Sequence, residues 1–294
     1  MLRLVVPKGS LEQATFTLFA DADLKIHRSS EVDYRARIHD GRIAEVRVLR
    51  PQEIPLYVAD GLFDLGITGR DSIEERAVEV VSLGELPYSK SSGDPVRIVL
   101  AVAEDSPAQS LADLTGGGRP VRVSTEYPEI TRRALADAGV DATISFSYGA
   151  TEAKVPDIAD CVVDLTETGR ALRAAGLRSI HTLLVSSTEL IANPASAKDP
   201  EKRRAMDQIY TLLMGTLEAR EKVLVKLNVS AERRAAVLKR LPSLRSPTVS
   251  ELAGDGGYAI ETVVMKDEIN TLIPELKELG ASDILELALA KIVH

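Results

Sequence analysis

The segment CVVDLTETGRALRAAGL, residues 161–177, ends an apolar run on Asp164 and then sets Thr166, Thr168, Gly169 and Arg170 in one turn. A carboxylate at a strand end accepts hydrogen bonds from a pair of sugar hydroxyls. Threonine hydroxyls, a glycine that lets the backbone approach, and the positive start of a helix suit a phosphate. Arg170 adds a cation, or simply points to solvent. An ordinary strand-to-helix turn explains the same residues about as well. Two further turns carry the same chemistry. Lys8 and Gly9 follow the run LRLVV, and Gly69, Arg70 and Asp71 close DLGITGRD. Each is a glycine turn with a cation, suited to polyphosphate. The plain alternatives are a solvated Lys8 and a surface pair of Arg70 with Asp71. Three such turns at three strand ends weigh more than one.

The elements that must position these turns follow from the apolar periodicity. Residues 2–6 read as a strand and PKGS as a turn. Ser10 with Gln13 has the pattern of a capping box opening a helix. EVRVLRP alternates as a strand, PQEIPLYVADG reads as a short helix closed by Gly61, and residues 63–71 run from strand through a glycine turn into a helix. A second run begins at PVRIVLAV. It continues through a GGG loop at 116–118, the strand PVRVST, a helix from Pro128 to Gly139, and the strands ATISFS and DCVVDL. GRALRAAGL reads as a helix, and SIHTLLVSSTELIAN as strand material that returns to the first unit. The last section reads β-α-β-β-α-β, with a hairpin turn at 254–257, and is ferredoxin-like. The fold class is α/β, and ligands of such open sheets bind at the strand ends.

Composition narrows the function. The chain has 294 residues, 45% hydrophobic and 27% charged, enough for several packed domains. A net charge of −8 argues against nucleic acid and anionic membrane as partners. The one cysteine, Cys161, sits in an apolar run and reads as a buried small residue rather than a nucleophile. The four histidines have no ligand spacing. The N-terminus meets Pro7 and Lys8 too soon for a signal peptide, and no apolar run reaches membrane length, so a cytoplasmic protein is expected.

VVPKGSL, DLGITGRD, VRVSTEYPEITRRAL, GATEAKVPDIADCVVDLTETGRAL and SPTVSEL occur in the order seen in ATP phosphoribosyltransferases, and the chain resembles the long form of that family throughout. The resemblance implies two periplasmic-binding-protein-like α/β domains, residues 1–94 with 181–215 and residues 95–180, plus a regulatory ferredoxin-like (ACT-like) domain at 216–294. It implies ATP and phosphoribosyl pyrophosphate (PRPP) as substrates, Mg²⁺ as cofactor held mainly through substrate phosphates, and a homo-oligomer, dimer to hexamer. Adenine N1 would join C1 of PRPP with release of pyrophosphate. Lys8, Arg70 and Asp164 would be catalytic. Asp164, Leu165, Thr166, Glu167, Thr168, Gly169 and Arg170 would bind PRPP. Gly9, Gly69, Asp71, Thr125, Tyr127 and Glu152 would bind ATP, although helix-entry packing explains Tyr127 equally and a solvated loop acid explains Glu152. Asn228 and Thr248 would hold inhibitory histidine. The chain departs from its relatives at Ser10, at Pro156 within VPDIAD and at Ala171, which puts single contacts in doubt. A two-lobed sensor without turnover, or another phosphoribosyltransferase, is the rival reading. The absence of a DNA-binding segment weighs against the first, and the lone Asp164 where most of the others carry two acids weighs against the second.

Overall fold

A computed structural model describes residues 1–88, 96–115, 117–242, 246–254 and 256–294. The expected 94/95 domain junction, Gly116 of the glycine loop and Asp255 of the hairpin lie outside the described residues. The chain divides into two units, residues 1–20 with 24–210, and residues 21–23 with 211–294.

The first unit holds two sheets. β1 (Leu2–Pro7) is almost wholly buried, as a central parallel strand with helices on both faces must be. The helix α1 (Glu12–Asp21) follows. It opens with Gly9 N–H donating to Glu12 Oε2 at 3.2 Å rather than with the expected Ser10–Gln13 box, because Glu12 is near enough to reach back. β2 (Ile26–Arg28), β3 (Arg35–Ile38) and β4 (Ile43–Leu49) come next, then α2 (Ile54–Ala59), β5 (Leu65–Gly69), α3 (Arg70–Arg76) and β6 (Val81–Glu85). In the second sheet, β7 (Val96–Ala103), β8 (Val121–Thr125), α4 (Pro128–Asp137), β9 (Ala142–Phe146), β10 (Cys161–Thr166), α5 (Arg170–Ala174) and β11 (Leu177–Ser186) follow in order. β12 (Thr188–Ala192) then returns to the first sheet, and α6 (Pro194–Lys198) and α7 (Pro200–Arg220) lead out of it.

Among the described residues the first sheet has the order β2-β3-β4-β1-β5-β12-β6 and the second β11-β7-β10-β8-β9. In each sheet one strand delivered by the crossover runs antiparallel beside the parallel core, β12 against β5 and β7 against β10. The crossover falls at Ser187. β11 keeps its antiparallel register with β7 as far as Ser186 opposite Val96, so the second lobe extends past the expected boundary at 180. The expected helix 169–177 is also shorter: α5 ends at Ala174, Gly176 turns the chain at φ +72°, and Leu177 already belongs to β11.

The second unit is built on β13 (Lys222–Ser230), α8 (Arg234–Arg240), β14 (Thr248–Glu251), β15 (Gly257–Met265), α9 (Ile269–Glu278) and β16 (Ala281–Ala288). Its order β14-β15-β13-β16 with antiparallel neighbours is the ferredoxin-like split βαβ pair. Val223, Val225, Leu227 and Val229 alternate onto the face covered by Val237, Leu272 and Leu276. No helix among the described residues is long and apolar enough to cross a membrane.

Candidate active site

Asp164 stands near the end of β10, half-buried, with Oδ1 accepting from the Leu165 N–H at 2.7 Å. Burial raises its carboxyl above the usual carboxylate range, and repulsion from Glu152 and Glu126 adds to the rise, against the lowering by the Leu165 N–H. Two acids from different segments of the second lobe thus lie within electrostatic reach of Asp164. Glu152 lies in the short turn Thr151–Lys154, and Glu126 lies between β8 and α4.

The loop after Asp164 is pre-folded. Thr166 Oγ1 accepts from Gly169 N–H at 2.8 Å, and Arg173 donates to Thr168 O at 2.9 Å. Gly169 sits at φ +70°, where a side chain is strained and a Cβ would press on Arg173. One amide of the expected cradle is thus spent within the loop, while the Thr166 O–H is still free to donate. Leu165 and Arg170 are exposed, and Glu167 is half-buried.

At the other two turns, Lys8 lies with its ammonium 4.1 Å from the centroid of the Tyr34 ring, a cation–π contact. Gly9 has φ +94°, and Arg50 Nη1 lies 3.9 Å from where its Cβ would be, so a second cation stands at this turn. Gly69 closes β5 with the Asp71 carboxylate folded against it. Asp71 is held from the crossover: its N–H donates to Ser186 Oγ at 3.0 Å and Ser186 Oγ donates to Asp71 Oδ1 at 2.6 Å. Arg70 pairs with Glu74 at 2.8 Å and Glu189 at 3.4 Å rather than with Asp71, because the Ser186 contact turns Asp71 away from it.

Thr125 is fully buried, its Oγ1 accepting from the Tyr127 N–H at 2.9 Å, so it shapes the turn and offers no open hydroxyl face. Tyr127 caps α4. Burial first, then the carboxylates Asp71, Glu126, Asp164 and Glu75, hold its phenol well above the usual range. Tyr127 thus lies within electrostatic reach of Asp71 of the first lobe and of Asp164 in its own. With Gln52, Ser72, Glu75, Arg76, Glu126 and Phe146 it lines a cavity of about 410 Å³ between the lobes. Lys154, absent from the sequence-based expectations, is fixed by Ser147 Oγ at 2.6 Å and Ser124 Oγ at 3.2 Å. Cys161 is buried, its thiol pushed up to about 12 by burial and then by Asp160, which makes it inert as expected.

In the second unit the two expected histidine-binding residues are not neighbours. Asn228 donates to Asp283 Oδ2 at 3.0 Å and stands opposite Ala259. Thr248 is exposed on the edge strand opposite Glu261, on the rung of Lys226.

The strand order and crossover define the class: a two-lobed α/β protein of the periplasmic-binding-protein type, joined to an ACT-like βαββαβ module. The ATP phosphoribosyltransferase family profile matches residues 50–215, and the "HisG, C-terminal domain" profile matches residues 219–291. The curated ATP phosphoribosyltransferase of Desulforudis audaxviator is 45% identical over 99% of both chains, and that of Pelotomaculum thermopropionicum is 42% identical over the same shares. Among solved structures, the "ATP phosphoribosyl transferase (HisG:HisZ) complex from Thermotoga maritima" matches with a TM-score of 0.62 and 26% identity, over 74% of this chain and 99% of that one. The chain belongs to the ATP phosphoribosyltransferase family, pentosyltransferases of histidine biosynthesis.

Proposed function

We propose that the chain joins N1 of ATP to C1 of PRPP and releases pyrophosphate, with histidine acting as a feedback inhibitor on the C-terminal module. The observation that carries this reading is the placement of Asp164 and the pre-folded loop 166–170 at one strand end, in the lobe whose Tyr127 lies within electrostatic reach of both Asp164 and Asp71 of the other lobe. Asp164 accepts from the ribose hydroxyls. Loop 166–170, through the Thr166 and Thr168 hydroxyls and the Arg170 cation, holds the 5′-phosphate. Lys8, with Arg50 at the same turn, and Arg70 face the pyrophosphate.

The chemistry asks little of a base. The adenine N1 lone pair forms the new bond as the C1–oxygen bond breaks and its electron pair leaves with pyrophosphate. The ribose gains positive character in between, so positioning and charge complementarity carry the rate. That accounts for a cleft with fixed acids and cations rather than a nucleophile–base pair. Glu152 and Glu126 both repel the charge on Asp164, so the cleft favours an added cation. Among the described residues no cluster of His, Cys, Asp and Glu forms a cage for one. This donor set fits magnesium carried on substrate phosphates, which keeps several of its waters. Asp71 and Glu152 would face it, and when bound it supplies charge neutralisation on the departing pyrophosphate.

Purified protein given ATP, PRPP and magnesium is expected to build up the ultraviolet absorbance of an N1-substituted adenine. Saturable binding of a small solute without that product would favour a sensor instead. The two α/β lobes, divided near residues 95 and 187, form the catalytic part and the segment after about 215 the regulatory part; the chain works as a homo-oligomer, dimer to hexamer. Thr248→Ala in the full-length chain should keep turnover while the histidine concentration for half-inhibition rises about tenfold, equivalent to about 1.4 kcal/mol. Unaltered inhibition in that variant would move histidine to another place.

A further inference from the structure

Glu75 lies on α3 of the first lobe, yet its carboxylate binds the second. Both of its oxygens accept from the Glu129 N–H, at 3.0 and 3.1 Å, and Oε2 also accepts from the Ile130 N–H at 3.0 Å. These are first-turn amides of α4, which have no partner inside their own helix. The contact spans 54 residues of sequence. A second link runs beside it: Arg133 of α4 donates to Glu74 O at 2.8 Å and lies 3.4 Å from Glu74 Oε2. Glu74 is also the partner of Arg70.

The two helices begin at the two turns that matter. α3 starts directly after Gly69 with Arg70 and Asp71, and Tyr127 caps α4. The cavity of about 410 Å³ is lined from α3 by Ser72, Glu75 and Arg76, and from the second lobe by Glu126, Tyr127, Pro128 and Phe146. The spacing between its walls is therefore the spacing between α3 and α4. Two-lobed α/β proteins open and close about their crossovers, and a charged group holding helix amides is a strong, directional restraint on such a motion.

We infer that Glu75 is a positioning residue that latches α4 to α3 and sets the width of the cleft in which the two substrates meet. The inference rests on the proposed ATP phosphoribosyltransferase reaction for its kinetic consequence, and on geometry alone for the latch. Loss of the latch lowers the fraction of molecules with the binding-competent spacing. Apparent affinity falls by that fraction, and saturation with substrate restores the competent state. KM thus moves and kcat does not, which a general loss of folded protein would not produce.

The test uses the full-length chain with spin labels on cysteines at Glu79 and Asp141, both exposed, one in each lobe. Native Cys161 is buried and stays unlabelled. E75A should lengthen and broaden the distance distribution, and in the unlabelled chain should raise KM for both ATP and PRPP about tenfold with kcat within about twofold. E75Q keeps one acceptor oxygen and should fall between E75A and the parent. R133A, which removes the second link only, should shift the distances in the same direction and serves where E75A does not fold. Unchanged distances and KM in E75A, or a loss of kcat alone, overturn the inference. If the parent chain forms no product, the reaction assignment fails, and the distance measurement still decides the latch.

Discussion

An Asp164→Asn variant should lose PRPP binding and gain heat resistance at neutral pH. The two effects share one cause. Asp164 is half-buried and faces Glu152 and Glu126, so its ionised form is disfavoured in the folded chain. A carboxyl whose folded-state pKa is raised binds its proton more tightly when folded. Its contribution to stability is thus largest at low pH and is lost as pH rises through the folded value. Above that value the charge works against the fold, and asparagine removes it while keeping the shape. The Asn variant should therefore melt higher than the parent at neutral pH, and the difference should narrow as pH falls.

The binding loss runs the other way. Two ribose hydroxyls donating to a carboxylate make charge-assisted hydrogen bonds, worth about 1.5–3 kcal/mol each. An amide offers one neutral acceptor in their place. Loss of about 3 kcal/mol corresponds to roughly a hundredfold weaker PRPP binding. Titration calorimetry with PRPP measures it, and a thermal melt of the same sample measures the stability. In the parent chain PRPP binding should also weaken as pH falls through the raised Asp164 value, whereas the Asn variant should show no such limb. A variant that binds PRPP normally removes Asp164 from the site; one that binds poorly and melts lower assigns it a structural role.

The strand ends were legible because apolar runs stop at polar glycine turns there. β1, β5 and β10 each finish beside Lys8, Arg70 and Asp164, a local pattern that needs no knowledge of partners. The C-terminal module was legible for the same kind of reason, since Val223, Val225, Leu227 and Val229 alternate without a break. The short strands β2, β3 and β6 were not. They are three to five residues long, and only pairing makes them strands, β2 with β3, β3 with β4 and β6 with β12. Ser186 and Arg50 were missed at the site because each is brought in from elsewhere in the chain, and Lys154, two residues from Glu152, because only its contacts with Ser124 and Ser147 fix it there. Glu75 is the plainest case: on its own helix it is one acid among several, and only the α4 amides distinguish it. Helix limits failed at α1 and α5, where the choice of capping residue and the φ of Gly176 decide the end turns.

Asp64→Ala should cost the first unit about 2–4 kcal/mol. The Asp64 side chain is 1% exposed and gathers four donors from three elements. Oδ2 accepts from the Arg3 N–H at 2.8 Å and from Arg3 Nε at 3.3 Å, and Oδ1 accepts from Ser196 Oγ at 2.7 Å and from Lys202 Nζ at 2.8 Å. Burial alone would raise this carboxyl. The bonds from Lys202, the Arg3 N–H and Ser196 outweigh it and hold the group well below the usual carboxylate range. A depressed folded-state pKa means stability that is present above the unfolded value, near 3.9, and is lost as pH falls through the folded one. Removing the carboxylate strands a strand amide of β1 and the buried Ser196 hydroxyl, and these set most of the cost. Arg3 and Lys202 are 41% and 31% exposed, so water takes back part of their charge and keeps the loss below that of a fully enclosed pair. Denaturant unfolding at pH 7 should show the deficit, and at pH 3 the gap between parent and variant should narrow as the parent loses its own advantage. An equal gap at both pH values would mean that packing around Asp64, rather than its charge, holds β1 to α6 and α7.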